Sequence, residues 1–171
     1  MRLFIAVPYE NSLKEVQDKI DKTSAKFTFP NHFHITLKFL GEVEDIEAVK
    51  ERLSQITFKS YEAELSEIGV FPSPSKINVI WAGVKDKGQT EELQKKIDDA
   101  LMGIFPRDER FHQHITLARV KSVIDKEKLK ESINSIKVEK KRFAVKEFVL
   151  YQSTLTPEGP VYDVVERYSA K

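Results

Sequence analysis

The 171-residue sequence predicts an α+β fold of two pseudo-symmetric lobes, with mainly antiparallel sheets lining a central cleft and helices on the outside. Three observations carry this prediction. The first is a repeated phrase: residues 32–37 read "HFHITL" and residues 112–117 read "HQHITL". The second is that the repetition extends beyond the phrase. Residues 32–73 align without a gap on 112–153, and 13 of the 42 positions are identical, where chance would give roughly 2–3. The third is that a strand–helix–strand–helix–strand pattern occurs twice. Two copies are too few for a solenoid and point to an internal duplication packed about a pseudo-two-fold axis.

Each element follows from local pattern. "LFIAVPY" (3–9) and "INVIWAGV" (77–84) are apolar, β-branched and aromatic, as strands are. In 11–25, Leu13, Val16 and Ile20 recur at helical spacing, with Asn11 or Ser12 as cap. In 89–104, Leu93, Ile97, Ala100, Leu101 and Ile104 do so behind Thr90. A His-Ile-Thr-Leu strand comes next in each half. Second helices open at Asp45 and Asp125, both suited to accept backbone N–H groups. Strands follow at 61–71 and 142–151, and an extra strand near 161–168. "FPSPSK" (71–76) is read as the joint between a first repeat of about 1–73 and a second of about 77–171, the whole forming a single bilobal domain.

Composition narrows the function. Hydrophobic residues make up 40% and charged residues 32%, which suits a folded chain rather than a disordered one. No apolar run approaches the ~20 residues of a membrane span. "MRLFIAVPYE" lacks a signal peptide's small-residue cleavage site and is read as a first strand. The absence of cysteine rules out thiolate chemistry and fits a cytoplasmic protein. A net charge of +1 argues against a generally basic nucleic-acid coat but leaves room for a local basic cleft.

All four histidines lie in the two repeated phrases. On a strand, residues i and i+2 share a face. His34 and Thr36 therefore point one way, as do His114 and Thr116, while Ile35, Leu37, Ile115 and Leu117 point into a core. A two-fold axis sets the two His-x-Thr pairs across a cleft from each other. Two imidazoles can serve as one general base and one general acid. Two hydroxyls can donate to the non-bridging oxygens of an anion. That set suits in-line displacement at phosphorus.

One copy of the phrase would be read as satisfied strand polars. Two copies are not, because the helix surfaces have diverged while "HITL" is intact. The competing metal reading takes His32, His34, His112 and His114 as zinc or iron ligands. It leaves the threonines without a purpose, and no acidic residue lies in either phrase, so no metal is expected. His32 and His112 are read as rim or capping residues.

The phrases "HITLKFLGEV" and "HITLARV", with "RLFIAV" at the start, resemble the 2H phosphoesterase superfamily. Within it they resemble the bacterial and archaeal RNA 2′,3′-cyclic phosphodiesterases, also described as 2′-5′ RNA ligases. The resemblance spans essentially the whole chain. It implies opening of a ribose 2′,3′-cyclic phosphate at an RNA 3′ end to leave a 2′-phosphate, with no metal or other cofactor. It implies that His34 protonates the departing 3′ oxygen, His114 deprotonates water, and Thr36 and Thr116 hold the phosphate. It also implies 2′-5′ ligation in the reverse direction. The expected partners are RNA ends, such as tRNA fragments, met by a cytoplasmic monomer with no membrane contact.

Phe39 and Arg119 each lie five residues after a motif histidine. As symmetry mates they are expected to sandwich a nucleobase. Strict alternation puts them on the wrong face, so the idea requires each strand to end or bulge near Lys38 and Ala118. Two alternatives remain at this stage. One is a phosphodiesterase of a small cyclic nucleotide such as ADP-ribose 1″,2″-cyclic phosphate. The other is a non-catalytic RNA-end-binding module.

Overall fold

The computed structural model of the protein describes residues 1–171. The elements in chain order are β1 (Arg2–Pro8), α1 (Lys14–Asp18), β2 (Ala25–Thr28), β3 (His34–Glu42), α2 (Ile46–Ser54), β4 (Tyr61–Ser73), β5 (Lys76–Lys85), α3 (Gln89–Ala100), β6 (His114–Val123), α4 (Lys126–Ser135), β7 (Arg142–Val145), β8 (Glu147–Thr156) and β9 (Gly159–Ser169). Every strand pairing is antiparallel. The strand order is β7-β4-β5-β6-β3-β1-β8-β9, with β2 added on β6.

The alternation of β1 shows how the layers form. Leu3, Ile5 and Val7 enter a core of 32 buried residues shared with Leu13, Ile20, Leu53, Leu93 and Ile97 of the helical segments. Phe4 and Ala6 point to the opposite face and pack on Val149 and Tyr151 of β8. One face of the sheet is thus covered by helices, and the other is left for the cleft.

The sheet narrows at its centre. β3 and β6 are joined by a single pair, Ile35 with Ile115, residues that are themselves symmetry mates. The pseudo-dyad passes between them and divides the sheet into two lobes. The lobes are not the sequence repeats. β1 and β3 of the first repeat are completed by β8 of the second, while β5 and β6 of the second are completed by β4 of the first. Residues 71–76, expected to join the halves, form the β4–β5 hairpin inside one lobe.

Several boundaries differ from expectation. Asp45 and Asp125 cap α2 and α4 as expected, accepting the N–H groups of Ala48 and Lys128, a contact worth about 1 kcal/mol each. The helix expected over 11–25 is only Lys14–Asp18. Asp21 ends it by accepting from the backbone N–H and hydroxyl of Thr23, and the chain then extends into β2. α3 opens behind Gly88, which sits at φ 90°, rather than at Thr90. The Thr90 hydroxyl instead donates to Asp86 and lies against the Tyr61 hydroxyl. The strand expected over 142–151 is two strands parted at Lys146.

Candidate active site

β3 and β6 start with the two motifs, so the His-x-Thr pairs lie on either side of the pseudo-dyad. Extending the Ile35–Ile115 pairing by one residue each way sets His34 opposite Thr116 and Thr36 opposite His114. Ile35, Leu37, Ile115 and Leu117 are at most 1% exposed and face the core. The four polar residues face a cleft of about 1140 Å³.

Both strands bulge just after the motif. In β3 the register against β1 slips between Lys38 and Thr36, and in β6 the register against β5 slips between Ala118 and Thr116. The slip turns two successive residues inward, Leu37 with Lys38 and Leu117 with Ala118, all buried. It brings Phe39 and Arg119 onto the cleft face, where both line the cavity and Phe39 is 71% exposed. The bulge that the sandwich idea required is present in both copies. The carbonyl freed at Leu117 accepts from Gln17, whose amide also donates to the Pro30 carbonyl just before the first motif.

The inward turn of Lys38 has an electrostatic cost that the fold offsets. Its ammonium, 2% exposed, donates to Asp98 at 2.6 Å and to the Pro106 carbonyl at 2.8 Å, with Asp108 at 3.4 Å. Burial pushes the Asp98 carboxyl up, but hydrogen bonds from Lys38, Gln94 and the Asp108 backbone outweigh it and hold the group below its usual range. This pair anchors β3 to α3 and to the loop leading to the second motif.

The two histidine pairs occupy matching aromatic boxes. Phe4 and Tyr151 flank His34, with ring centroids at 5.2 and 6.4 Å. Trp81 and Phe71 flank His114, at 5.9 and 4.9 Å. Tyr162 stands over His34 at 5.5 Å, and its place has no counterpart beside His114. These box residues were not singled out in the sequence. The signal was there: Phe71 and Tyr151 pair at the shift of 80, and a shift of 77 pairs Phe4 with Trp81 and Gln17 with Gln94.

The imidazoles are held differently. His114 Nδ1 lies 2.7 Å from the His112 carbonyl oxygen, which only accepts, so Nδ1 carries hydrogen and a neutral ring presents a bare Nε2. His34 Nδ1 lies 3.0 Å from His32 Nδ1. Burial first, and then the neighbouring His32 and His114, depress His34 to about 3. Burial also lowers His114, partly countered by its bond to the His112 backbone, with His112 and Arg119 adding to the lowering. Both rings are therefore neutral in the free protein at pH 7.

The four histidines form two separate pairs across the dyad rather than one set, and no three His, Cys, Asp or Glu side chains converge as a metal site would require. Arg2, Arg110 and Arg119 line the cleft and make no ion pair with a carboxylate. No helix is long and apolar enough to cross a membrane.

Known proteins resemble this chain in sequence and in fold. The RNA 2′,3′-cyclic phosphodiesterase of Methanocaldococcus jannaschii is 36% identical over 98% of this chain and 100% of its own length. The protein of the same name from Archaeoglobus fulgidus is 36% identical over 95% and 96%. A crystal structure of a Thermus thermophilus protein superposes with a TM-score of 0.80 at 29% identity, covering 99% of this chain and 97% of that one. That of E. coli LigT complexed with 3′-AMP gives 0.72 at 22% over 99% and 97%, a likeness of fold. The model described as LigT-like phosphoesterase matches twice, at residues 4–81 and 84–162, so the duplication seen in the sequence is the family's own, and the chain belongs to the LigT-like phosphoesterase family.

Proposed function

We propose that the protein hydrolyses RNA 2′,3′-cyclic phosphate ends to 2′-phosphomonoesters, with His34, Thr36, His114 and Thr116 as the reacting set and without metal or other cofactor. The observation that carries this reading is the pair of His-x-Thr motifs set symmetrically on the cleft floor, with one histidine locked as an acceptor toward the cleft. Relatives named RNA 2′,3′-cyclic phosphodiesterase support it.

The cyclic phosphate sits across the pseudo-dyad. His114 Nε2 takes a proton from water as the water oxygen bonds to phosphorus. The P–O3′ bond breaks on the far side, and a proton from His34 Nε2 reaches O3′. The products are a 3′-hydroxyl and a 2′-phosphate. Thr36 and Thr116 donate to the non-bridging oxygens, where charge builds up. The phosphate's negative charge favours uptake of a proton at this side of the site and offsets the burial that keeps it neutral in the free protein. With a 5′-hydroxyl in place of water, the same attack yields a 2′-5′ linkage.

Phe39 and Arg119 hold the terminal base. Arg2 and Arg110, free of carboxylate partners, favour a polyanion over a small cyclic nucleotide. The protein works on RNA ends such as tRNA fragments, as a cytoplasmic monomer formed by a single bilobal domain. The test is product analysis of an oligonucleotide ending in a 2′,3′-cyclic phosphate, before and after exhaustive EDTA treatment. The expected product carries the phosphate on O2′ in both cases. A 3′-phosphate product, or activity lost on chelation and restored by zinc, would overturn the assignment.

A further inference from the structure

The two histidines that precede the motif histidines share a sequence position but not a structural role. His112 serves His114 through its backbone carbonyl, and its own ring packs on Trp81 at 4.7 Å. His32 serves His34 through its ring, nitrogen to nitrogen at 3.0 Å. A carbonyl is a fixed acceptor. An imidazole nitrogen is either donor or acceptor. Two nitrogens at 3.0 Å hold one proton between them, since two N–H groups would collide and two bare lone pairs would repel. The pair therefore carries at most one positive charge, and the ring with the less costly environment carries it.

We propose that His32 is a positioning residue whose ring shares a proton with His34, so that the dyad, and not His34 alone, is the proton reservoir of the general acid. This rests on the hydrolysis proposed above. In the charged dyad His32 carries hydrogen on both nitrogens and donates its Nδ1–H to His34 Nδ1. His34 then carries hydrogen on Nε2, facing the cleft. As the P–O3′ bond breaks, Nε2–H passes to O3′, and the Nδ1 proton crosses from His32 to His34. Both rings end neutral, and the leaving oxygen has gained one proton. His34, the more deeply held ring, never bears the full charge.

The surroundings suit this division. His32 is half-buried and only burial lowers it. The groups around the dyad are Tyr151 and Tyr162 against His32 and Phe4 against His34, with Arg119 and His114 acting on His34, Arg2 near Tyr162, and Arg167, Glu147 and Glu10 near Tyr151. The two carboxylates act on Tyr151 and not on either imidazole, so neither holds the charge in place of the dyad. The asymmetry also gives the pseudo-symmetric site a direction, because a ring tied to a carbonyl is suited to accept from water and a ring tied to another imidazole is suited to give.

The test compares the wild type with His32→Phe, which keeps an aromatic ring against Tyr151 and Tyr162, and with His112→Phe. Loss of the dyad should move the alkaline limb of the kcat profile to lower pH. Turnover at pH 8 should fall about tenfold or more, within the range of general-acid effects. His112→Phe, which keeps the backbone carbonyl that holds His114, should leave the alkaline limb in place. If His32 acted only by charge repulsion or packing, its loss would move the alkaline limb to higher pH or leave it unmoved, and either result overturns the proposal. Nitrogen-15 spectra of the substrate-free protein give an independent reading. His32 and His34 should titrate as a pair taking up one proton, and independent titration of the two rings would overturn the dyad. Because those spectra need no turnover, a wild type inactive on cyclic phosphate would sink the proposed function while the dyad is still judged.

Discussion

Four side chains carry the proposed reaction, and each is expected to fail in its own way. His34→Ala and His114→Ala should each lower turnover by roughly 10²–10⁴-fold. Thr36→Ala and Thr116→Ala should lower it by about 10²–10³-fold, the loss of one donor to a developing oxyanion. A cyclic substrate with sulfur in place of the 3′ oxygen separates the histidines, because a thiolate departs without a proton. It should restore activity to His34→Ala and not to His114→Ala, and rescue of His114→Ala alone would show the roles to be reversed. Arg119→Ala should raise KM more than it lowers kcat, measured on the oligonucleotide, since the guanidinium lies on the cleft wall beside the motif strand. The motif residues were legible in the sequence because a chemical pair repeated at a fixed spacing is a strong signal. His32 was not, because its role lies in which atom of a neighbour it meets, and its sequence mate His112 meets the equivalent neighbour with a different atom.

The strands do more than present side chains. The paired bulges decide which residues reach the cleft, and only their necessity, not their presence, could be argued from alternation. The bulge in β3 puts Lys38 in the core, where Asp98 answers it. Removing the carboxylate alone leaves a buried charge, so Asp98→Ala should cost about 3–5 kcal/mol in urea denaturation, while a Lys38→Met, Asp98→Leu double variant should recover most of it. On the other side of the dyad the wall of the His114 box depends on absent side chains. At Gly69 a β-carbon would overlap the Trp81 indole. Gly69→Ala should therefore displace Trp81 from His112 and His114 and lower kcat with little change in substrate affinity. A crystal structure of the variant with the indole unmoved would refute this. The caps at Asp45 and Asp125 were readable because capping is local. The short α1 was not, since its end is set by a turn at Asp21 within an otherwise helical pattern.

For the whole molecule the exchanged third strands have the widest reach. Each lobe draws on both repeats, so residues 1–75 or 76–171 alone should remain unfolded by circular dichroism, and mixing the two should regain structure. The duplication was visible in the sequence, but the exchange was not, because pairing partners leave no mark on a repeat comparison. The cleft's histidines should also tie stability to pH. His34 is depressed to about 3 in the folded chain against ~6.5 unfolded, so its contribution is complete above about pH 6.5 and is lost as the pH falls toward 3. The urea midpoint should drop from pH 7 to pH 5 by an amount reflecting up to ~1.4 kcal/mol per pH unit for each such ring, and His34→Phe should flatten that slope. The exchange also matters while the chain is being made. β1 leaves the ribosome well before β8 and meets β3 early, yet its other edge, pairing Leu3 with Gln152, waits for about 150 further residues to be synthesised. At about 5–20 residues per second that delay is roughly 7–30 s. During it an apolar strand lies open along one side, which makes the nascent first repeat a natural client for chaperones and ties the closing of the His34 lobe to the emergence of β8.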